Sequence, residues 1–560
     1  MPMQYCNSHH KSERFKTREV LVGKVGIGGN NPIRIQSMTT SNTRDVEATI
    51  QQAMRLADCG CEIVRVTVQG IKEAEACEQI KNGLLQKGYD IPLVADIHFY
   101  PPAALRVADS ADKVRINPGN FADKRATFKI LQYNEASYKE ELERIEEVFV
   151  PLVEKCKKLK KALRIGTNHG SLSDRIMNYY GDTPKGMVES AFEYVRVCRK
   201  YDFHDIIFSM KASNPLVMIQ AYRLIVAEMI ELGWDYPLHL GVTEAGEGED
   251  GRVKSAIGIG SLLLDGIGDT IRVSLTEDPW YEIDPCKRLV RIYDNAIGKG
   301  VSYFEEPNRN FKEISRKRRE VVSPLHPDGT VLDQQTVENP TFVNGDDPAS
   351  WDMLLKLNVP FVLLTATDCR VHKGRRFVAW AKKHELQSTI LFAFDYSSLS
   401  QEDLVLTASA ECGSLLADGL GDGLALKTSI SSEATESLSL NILQGARMRA
   451  TKTEYISCPG CGRTLFDLQA VSRKIKERTA HLPGVKIAIM GCIVNGPGEM
   501  ADADFGYVGS RPGMIDLYVG KECVERNIPF DDAEDKLIAL IKAHGRWIEK
   551  EELCTTAISS

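Results

Sequence analysis

IRIQS (33–37), VEATIQQAMRLADCG (46–60) and EIVRVTV (62–68) decide the fold. The first and third are short β-branched runs, the composition of buried strands. The second has apolar residues at helical spacing. The alternation continues with LVAD (93–96), KVRIN (113–117), LRIGT (163–167), DIIFSMK (205–211), LHLGVT (238–243) and DTIRVSL (269–275). Helical stretches such as ESAFEYVRVCRKYD (189–202) lie between them. Eight strand–helix units predict an α/β chain opening with a (β/α)8 TIM barrel, a fold of about 250 residues. A doubly wound open sheet is the alternative. The count of eight, and the lack of a GxGxxG after the first strand, favour the barrel.

The preceding REVLVGKVGIGG (18–29) reads as a small hairpin that plugs the barrel bottom, with GIGG a turn inside it rather than a phosphate loop. At 560 residues the chain is long enough for three or four domains. Composition shifts near residue 300, where NRNFKEISRKRRE (308–320) and SPLHPDG (323–329) read as a linker, the charge run being a solvated helix. Beyond it GSLLLDGIGD (260–269) recurs as GSLLADGLGD (413–422), eight of ten positions identical at an offset of 153. With FVLLTATD (361–368) and ILFAFDY (390–396), the middle segment reads as a degenerate copy of the last barrel units. Ala425 stands where the barrel has Arg272, which points to a structural role. The expected domains are a barrel over 1–297, an inserted barrel-like α/β domain over 298–440 and a small α/β module over 441–560.

Apolar residues make up 43% and charged residues 26%, with a net charge of −7. This gives no reason to expect nucleic acid or an anionic membrane as a partner. The start MPMQYCNSHHKSERF has no apolar h-region and no transit-peptide composition, and no apolar run reaches membrane length. Fourteen scattered cysteines suit a cytoplasmic chain better than a disulfide framework.

The last module holds CPGCGR (458–463) and VKIAIMGCIVNGPGE (485–499). Cys458 and Cys461 put two thiolates on one centre, and Cys492 adds a third 31 residues later. Glu499 follows seven residues on. Cubane clusters usually take four cysteines. Three plus a weaker oxygen ligand leave one iron exchangeable, so the pattern points to a [4Fe–4S] cluster. A zinc ribbon would need a second close pair, unless His481 completed it. A thioredoxin-type CxxC would have no use for Cys492. A radical-SAM triad CxxxCxxC is absent from the sequence. The other eleven cysteines, Cys59 and Cys61 included, read as packed thiols.

Barrel active sites form at the C-terminal strand ends. Those ends carry Arg65, Asp96, His98, Arg115, Asn117, Arg164, Asn168, Lys211, Glu244, Arg272 and Ser274. Four arginines and a lysine around one mouth call for an anion, and their density suggests more than one phosphate. For any single arginine, a salt bridge to a barrel carboxylate is the competing reading, and for His98 a structural role. Glu244 is the candidate general acid or base. A Mg²⁺ site at Asp96 and Glu244 is an open alternative.

QSMTT (36–40), EIVRVTV, ADIHF (95–99), VRINPGN (114–120), RIGTNHGSL (164–172), GVTEAG (241–246), GIGDTIRVSLT (266–276), CPGCGR and GCIVNGPGE (491–499) together resemble the 4-hydroxy-3-methylbut-2-enyl diphosphate synthases of the methylerythritol phosphate route to isoprenoids. The resemblance runs in order through 17–285 and about 441–525, and 298–440 marks the longer, three-domain form known from plants and some bacteria. It implies an oxidoreductase, here of bacterial type, that reductively opens and dehydroxylates 2-C-methyl-D-erythritol 2,4-cyclodiphosphate. It implies a [4Fe–4S] cluster on Cys458, Cys461, Cys492 and a displaceable Glu499. Arg65, Arg115, Asn117, Arg164, Lys211, Arg272 and Ser274 would hold the diphosphate. Glu244 would donate a proton, with Asp96, His98 and Asn168 orienting the substrate. Flavodoxin or ferredoxin would supply electrons. Short members are dimers in which one chain's cluster module caps the other's barrel; in this chain, monomer or homodimer, the module is expected to close on its own barrel. The competing functions are a barrel enzyme for a phosphorylated or pterin ligand with a structural metal module, and a non-catalytic iron–sulfur sensor.

Overall fold

The computed structural model describes residues 4–123, 133–306, 310, 311, 314, 321, 323–494, 496–500 and 502–549. It opens with an antiparallel hairpin, β1 (Val20–Val22) and β2 (Val25–Ile27). Val20, Val22 and Ile27 pack on Ile63, Val94, Ala162 and Ile207 at the start of four barrel strands, so the hairpin seals the barrel bottom. GIGG is not the turn inside it. Pairing of Val22 with Val25 leaves Gly23 and Lys24 as the turn, Gly23 having φ 57°. Gly28 and Gly29, at φ 79° and 58°, form the exit from β2 instead.

All eight expected barrel strands form: β3 (Arg34–Met38), β4 (Ile63–Thr67), β5 (Leu93–Ile97), β6 (Lys113–Ile116), β7 (Ala162–Asn168), β8 (Ile206–Lys211), β9 (His239–Leu240) and β10 (Thr270–Ile271). They pair in parallel in the order β8-β7-β6-β5-β4-β3-β10-β9, and a bridge from Phe208 to Leu238 closes the ring. The crossover helices follow local rules. Helix Val46–Asp58 starts where the Asp45 carboxylate accepts from the Ala48 N–H at 3.1 Å, and it buries Ile50, Ala53 and Leu56. β9 is shorter than LHLGVT suggested. After it Glu244 turns into the left-handed region at φ 49°, and Ala245 pairs with Ser457 of a different sheet.

Strand alternation puts Val114 and Ile116 in the core shared with the helices, and Lys113 and Arg115 on the other side of β6. Lys113 is fully buried, and its ammonium has no hydrogen-bond partner among the described residues. Barrel interiors are usually filled by branched aliphatic residues; above the hairpin this one is cationic.

The middle segment folds as a parallel sheet of β11 (Thr330–Val331), β12 (Phe342–Asn344), β13 (Phe361–Thr365), β14 (Thr389–Phe392) and β15 (Gly423–Leu424), in the order β11-β15-β14-β13-β12. The charge run 308–320 lies largely outside the described residues. Each repeat copy spans the end of a helix and a turn and runs straight into a strand: helix Gly248–Leu264 leads to β10, and helix Gln401–Ala417 to β15. These two helices pack against each other. A Cβ on Gly260 would fall 2.5 Å from that of Ala410, and one on Gly413 would fall 2.4 Å from Ile257. The repeat aspartates then share two arginines. Arg223 binds Asp265 at 2.7 Å and also Asp418; Arg375 binds Asp265 at 2.7 Å and Asp418 at 3.2 Å. All four side chains are buried.

The last segment is a mixed sheet of β16 (Glu454–Ser457), β17 (Lys486–Met490), β18 (Phe505–Arg511), β19 (Met514–Val519) and β20 (Glu522–Pro529). β16, β17 and β18 are parallel, and β19 and β20 continue antiparallel. Helices Leu468–Thr479 and Phe530–Ala543 bury Ile475, Leu537 and Ile541 in its core with Ile487 and Ile489. Among the described residues no helix is long and apolar enough to cross a membrane.

Candidate active site

The strand ends converge on a single cavity. Arg65, Asp96, His98, Arg115, Arg164, Asn168, Lys211, Glu244, Arg272 and Ser274 line it. Asn117 sits back from it, capping the helix Pro118–Phe121 by accepting from the Gly119 N–H at 3.2 Å.

The cations fall into two groups. Arg115 and Arg272 have carboxylate partners. Arg115 donates to Asp96 at 2.7 Å, to His98 Nε2 at 2.6 Å and to Asn168 Oδ1 at 3.1 Å. Arg272 grips Glu282 with two bonds of 2.9 Å. Arg65, Arg164 and Lys211 have no carboxylate within 4.0 Å among the described residues. Arg65 donates to the Met38 sulfur at 3.1 Å and Arg164 to the Ser209 hydroxyl at 2.8 Å. Burial, then Arg65 and Arg164, hold the Lys211 pKa well below its ordinary value. A buried set of this kind is stabilised by an anion that forked donors can clasp.

The same environment sets the other groups. Burial alone would raise Asp96, but Arg115 and Arg65 outweigh it and keep the carboxylate ionised. Burial and Arg115 bring His98 down to about 3, so its ring is neutral. Glu244, strained at φ 49°, is raised by burial. Beside it Glu499 is raised further, by burial and then by the Glu244 charge. Two buried carboxyls so placed are both shifted toward the protonated form. Thr243 donates to Glu499 at 3.1 Å, while the second Glu499 oxygen and Glu244 Oε2 are buried without a partner.

The opposite wall comes from the C-terminal module of the same chain. Cys458, Cys461 and Cys492 line this cavity, and the Gly491 N–H donates to Cys458 Sγ at 3.3 Å. The three are free thiols. Docking extends the barrel into the module: Ala245 bridges Ser457, and the Thr276 hydroxyl donates to the Ser457 and Cys458 carbonyls at 3.2 and 3.0 Å. Lys254 pairs with Glu454 at 3.1 Å, and Lys476 with Glu247 at 2.8 Å. His481 is remote, hydrogen-bonding the Ile548 carbonyl at 2.9 Å. Among the described residues no three His, Cys, Asp or Glu side chains converge on a single-ion site. Three thiols spread around one cavity, a backbone N–H aimed at sulfur and an orphaned Glu499 oxygen fit the donor set of a larger iron–sulfur group.

Local pattern did not single out Met38, Thr464 or Arg463, which also line the cavity, or Glu282, which neutralises Arg272. Arg463 stood in view in CPGCGR, but nothing local says that it reaches another domain.

Fold and site define a TIM-barrel enzyme whose cationic mouth faces a cysteine-bearing module. The chain belongs to the GcpE family: residues 17–287 match the GcpE TIM-barrel domain and residues 454–543 the GcpE protein C-terminal domain. It is 53% identical to the 4-hydroxy-3-methylbut-2-en-1-yl diphosphate synthase (flavodoxin) of Protochlamydia amoebophila (strain UWE25), over 98% of this chain and 99% of that one. It is 49% identical to the chloroplastic, ferredoxin-type synthase of Oryza sativa subsp. japonica, over 98% of this chain and 89% of that one. With the flavodoxin-type synthase of Chlamydia pneumoniae the identity is 46%, over 97% and 98%.

Proposed function

We infer that this chain is the oxidoreductase that converts 2-C-methyl-D-erythritol 2,4-cyclodiphosphate into (E)-4-hydroxy-3-methylbut-2-enyl diphosphate in isoprenoid biosynthesis, drawing electrons from flavodoxin or ferredoxin. The observation that carries this reading is one cavity with Arg65, Arg164 and Lys211, free of carboxylates among the described residues, on one wall and three cysteines on the other. A cyclic diphosphate supplies the missing negative charge.

Cys458, Cys461, Cys492 and the exchangeable Glu499 would hold a [4Fe–4S] cluster, which supplies two electrons one at a time when bound. The protein supplies placement and protons. Arg65, Arg115, Arg164, Lys211, Arg272 and Ser274 clasp the diphosphate, with Asn117 fixing the loop behind them. Neutral His98, ionised Asp96 and Asn168 orient the carbon skeleton. Glu244, which burial shifts toward its protonated form, gives the proton that leaves with the hydroxyl oxygen as water.

We assign 1–297 to the substrate barrel, 298–440 to the structural insert and 441–560 to the cluster module. The thirteen free cysteines among the described residues suit a reducing bacterial cytoplasm. The module closes on the barrel of its own chain, so one polypeptide makes a whole site.

Anaerobic reconstitution with iron and sulfide tests the reading. Brown protein with about four irons per chain, turning over the cyclic diphosphate with reduced flavodoxin, is expected. Cys458→Ser should abolish colour and turnover. A colourless protein carrying one zinc would sink the proposal.

A further inference from the structure

Five of the cations around the cavity belong to the barrel; a sixth arrives from the facing module. Arg463 follows Cys461 by two residues in CPGCGR and lines the same cavity. Its side chain is 8% exposed. One end of the guanidinium, Nη2, reaches Asp96 Oδ2 at 3.4 Å. Cys461, two residues back in the same loop, lines the cavity beside it. The Nε of Arg463 is buried with no partner among the described residues.

Burying a guanidinium costs several kcal/mol unless opposite charge and hydrogen bonds compensate. Here the compensating groups lie on different modules. Asp96 stands at the end of β5 in the barrel and already takes Arg115 at 2.7 Å. Cys461 stands in the loop after β16. The planar fork of arginine can serve both at once; a lysine ammonium is a single point. The chain therefore spends its one cation from the cysteine loop on a link between the substrate wall and the thiol wall. A positive charge beside a cysteine sulfur favours the more negative state of whatever that sulfur ligates.

Resting on the function proposed above, we propose that Arg463 is a positioning residue of the reaction: it ties the cysteine loop to Asp96 and its charge eases reduction of the group that Cys461 helps to hold. Two effects follow, one on potential and one on substrate affinity. Removing the charge makes the cluster harder to reduce. Removing the fork releases Asp96 from its second arginine and loosens the wall that the substrate touches.

The test uses anaerobically reconstituted full-length protein with equal iron content in wild type, Arg463→Gln, Arg463→Lys and Asp96→Asn. Redox titration followed by electron paramagnetic resonance reads the midpoint and line shape; steady-state assays read KM and kcat. Arg463→Gln should shift the midpoint to more negative potential, alter the line shape and raise KM about tenfold, the worth of one hydrogen bond to a charged group. Arg463→Lys should recover the midpoint but not KM, because it restores charge without the fork. In the double variant with Asp96→Asn the KM effects should fall short of additive. A loaded, active Arg463→Gln enzyme with wild-type midpoint and KM overturns the inference while leaving the proposed function standing. If the glutamine variant loses its iron, the lysine variant carries the test, and wild-type KM in it overturns the inference equally. A wild-type protein that takes up no cluster fails the functional reading instead.

Discussion

Gly170 of the barrel and Gly498 of the C-terminal module meet backbone to backbone: a Cβ on Gly498 would fall 1.5 Å from the Gly170 carbonyl oxygen, and one on Gly170 would fall 2.1 Å from the Gly498 carbonyl carbon. Neither backbone can yield without parting the two walls. This contact sets Glu499, the next residue, beside Glu244. Gly498→Ala should therefore hold the module away from the mouth. Turnover should drop about a hundredfold, matching the ~3 kcal/mol upper range of overpacking costs. Small-angle scattering should show a more extended particle with iron content unchanged; wild-type turnover would contradict the closed arrangement.

The Arg223–Asp265–Arg375–Asp418 set joins the barrel to the middle sheet with two cations and two anions fully out of water. Removing one member leaves an uncompensated buried charge. Asp418→Asn or Arg375→Met should each cost about 3–5 kcal/mol. Replacing all four with apolar residues of similar volume should cost far less. Denaturant titration of the single and fourfold variants checks the difference.

Glu454 gives a pH dependence with a defined sign. Burial would raise it, but Lys254 and Arg447 bring it from its ordinary 4.5 down to about 2. Its contribution is full above pH 4.5 and is lost as pH falls toward 2. The size is on the order of 3 kcal/mol for a shift of that extent. Thermal melts of wild type and Glu454→Gln should differ by a constant amount at neutral pH and converge below pH 4.5. A gap that widens on acidification would contradict the assignment.

Lys113 shows the opposite balance. It is fully buried, and burial followed by Arg164 and Arg65 drives its pKa well below the ordinary value. A lowered lysine costs stability at neutral pH. Lys113→Met should therefore raise the melting temperature, by about 1–3 kcal/mol of stability. Calorimetric melts of wild type and variant check the gain, and an unchanged or lower melting temperature would contradict it.

Much of this was legible from local pattern, and the rest fails for one physical reason. The eight strands announce themselves as β-branched runs because parallel strands are buried on both faces. The three cysteines are legible because a shared centre needs close spacing and glycine turns. Arg65, Arg164 and Lys211 stand out as cations in apolar strands. What stayed hidden depends on pairs far apart in the chain. Arg223 and Asp418 are separated by 195 residues and Arg463 and Asp96 by 367. Nothing local distinguishes Arg272, neutralised by Glu282, from Arg65, which has no such partner. β9 ends early because Glu244 bends away and Ala245 joins another sheet, a tertiary event.

The doubled helix–turn–strand unit also changes what mutation can do. In a pair of identical subunits every interface substitution lands on both sides at once. In this chain Arg223 and Arg375 are separate codons, as are Asp265 and Asp418. One side can drift while its twin stays under selection. Ala425 stands where the barrel has Arg272: the second copy lacks a mouth cation yet carries the aspartate and the small residues by which it grips the first.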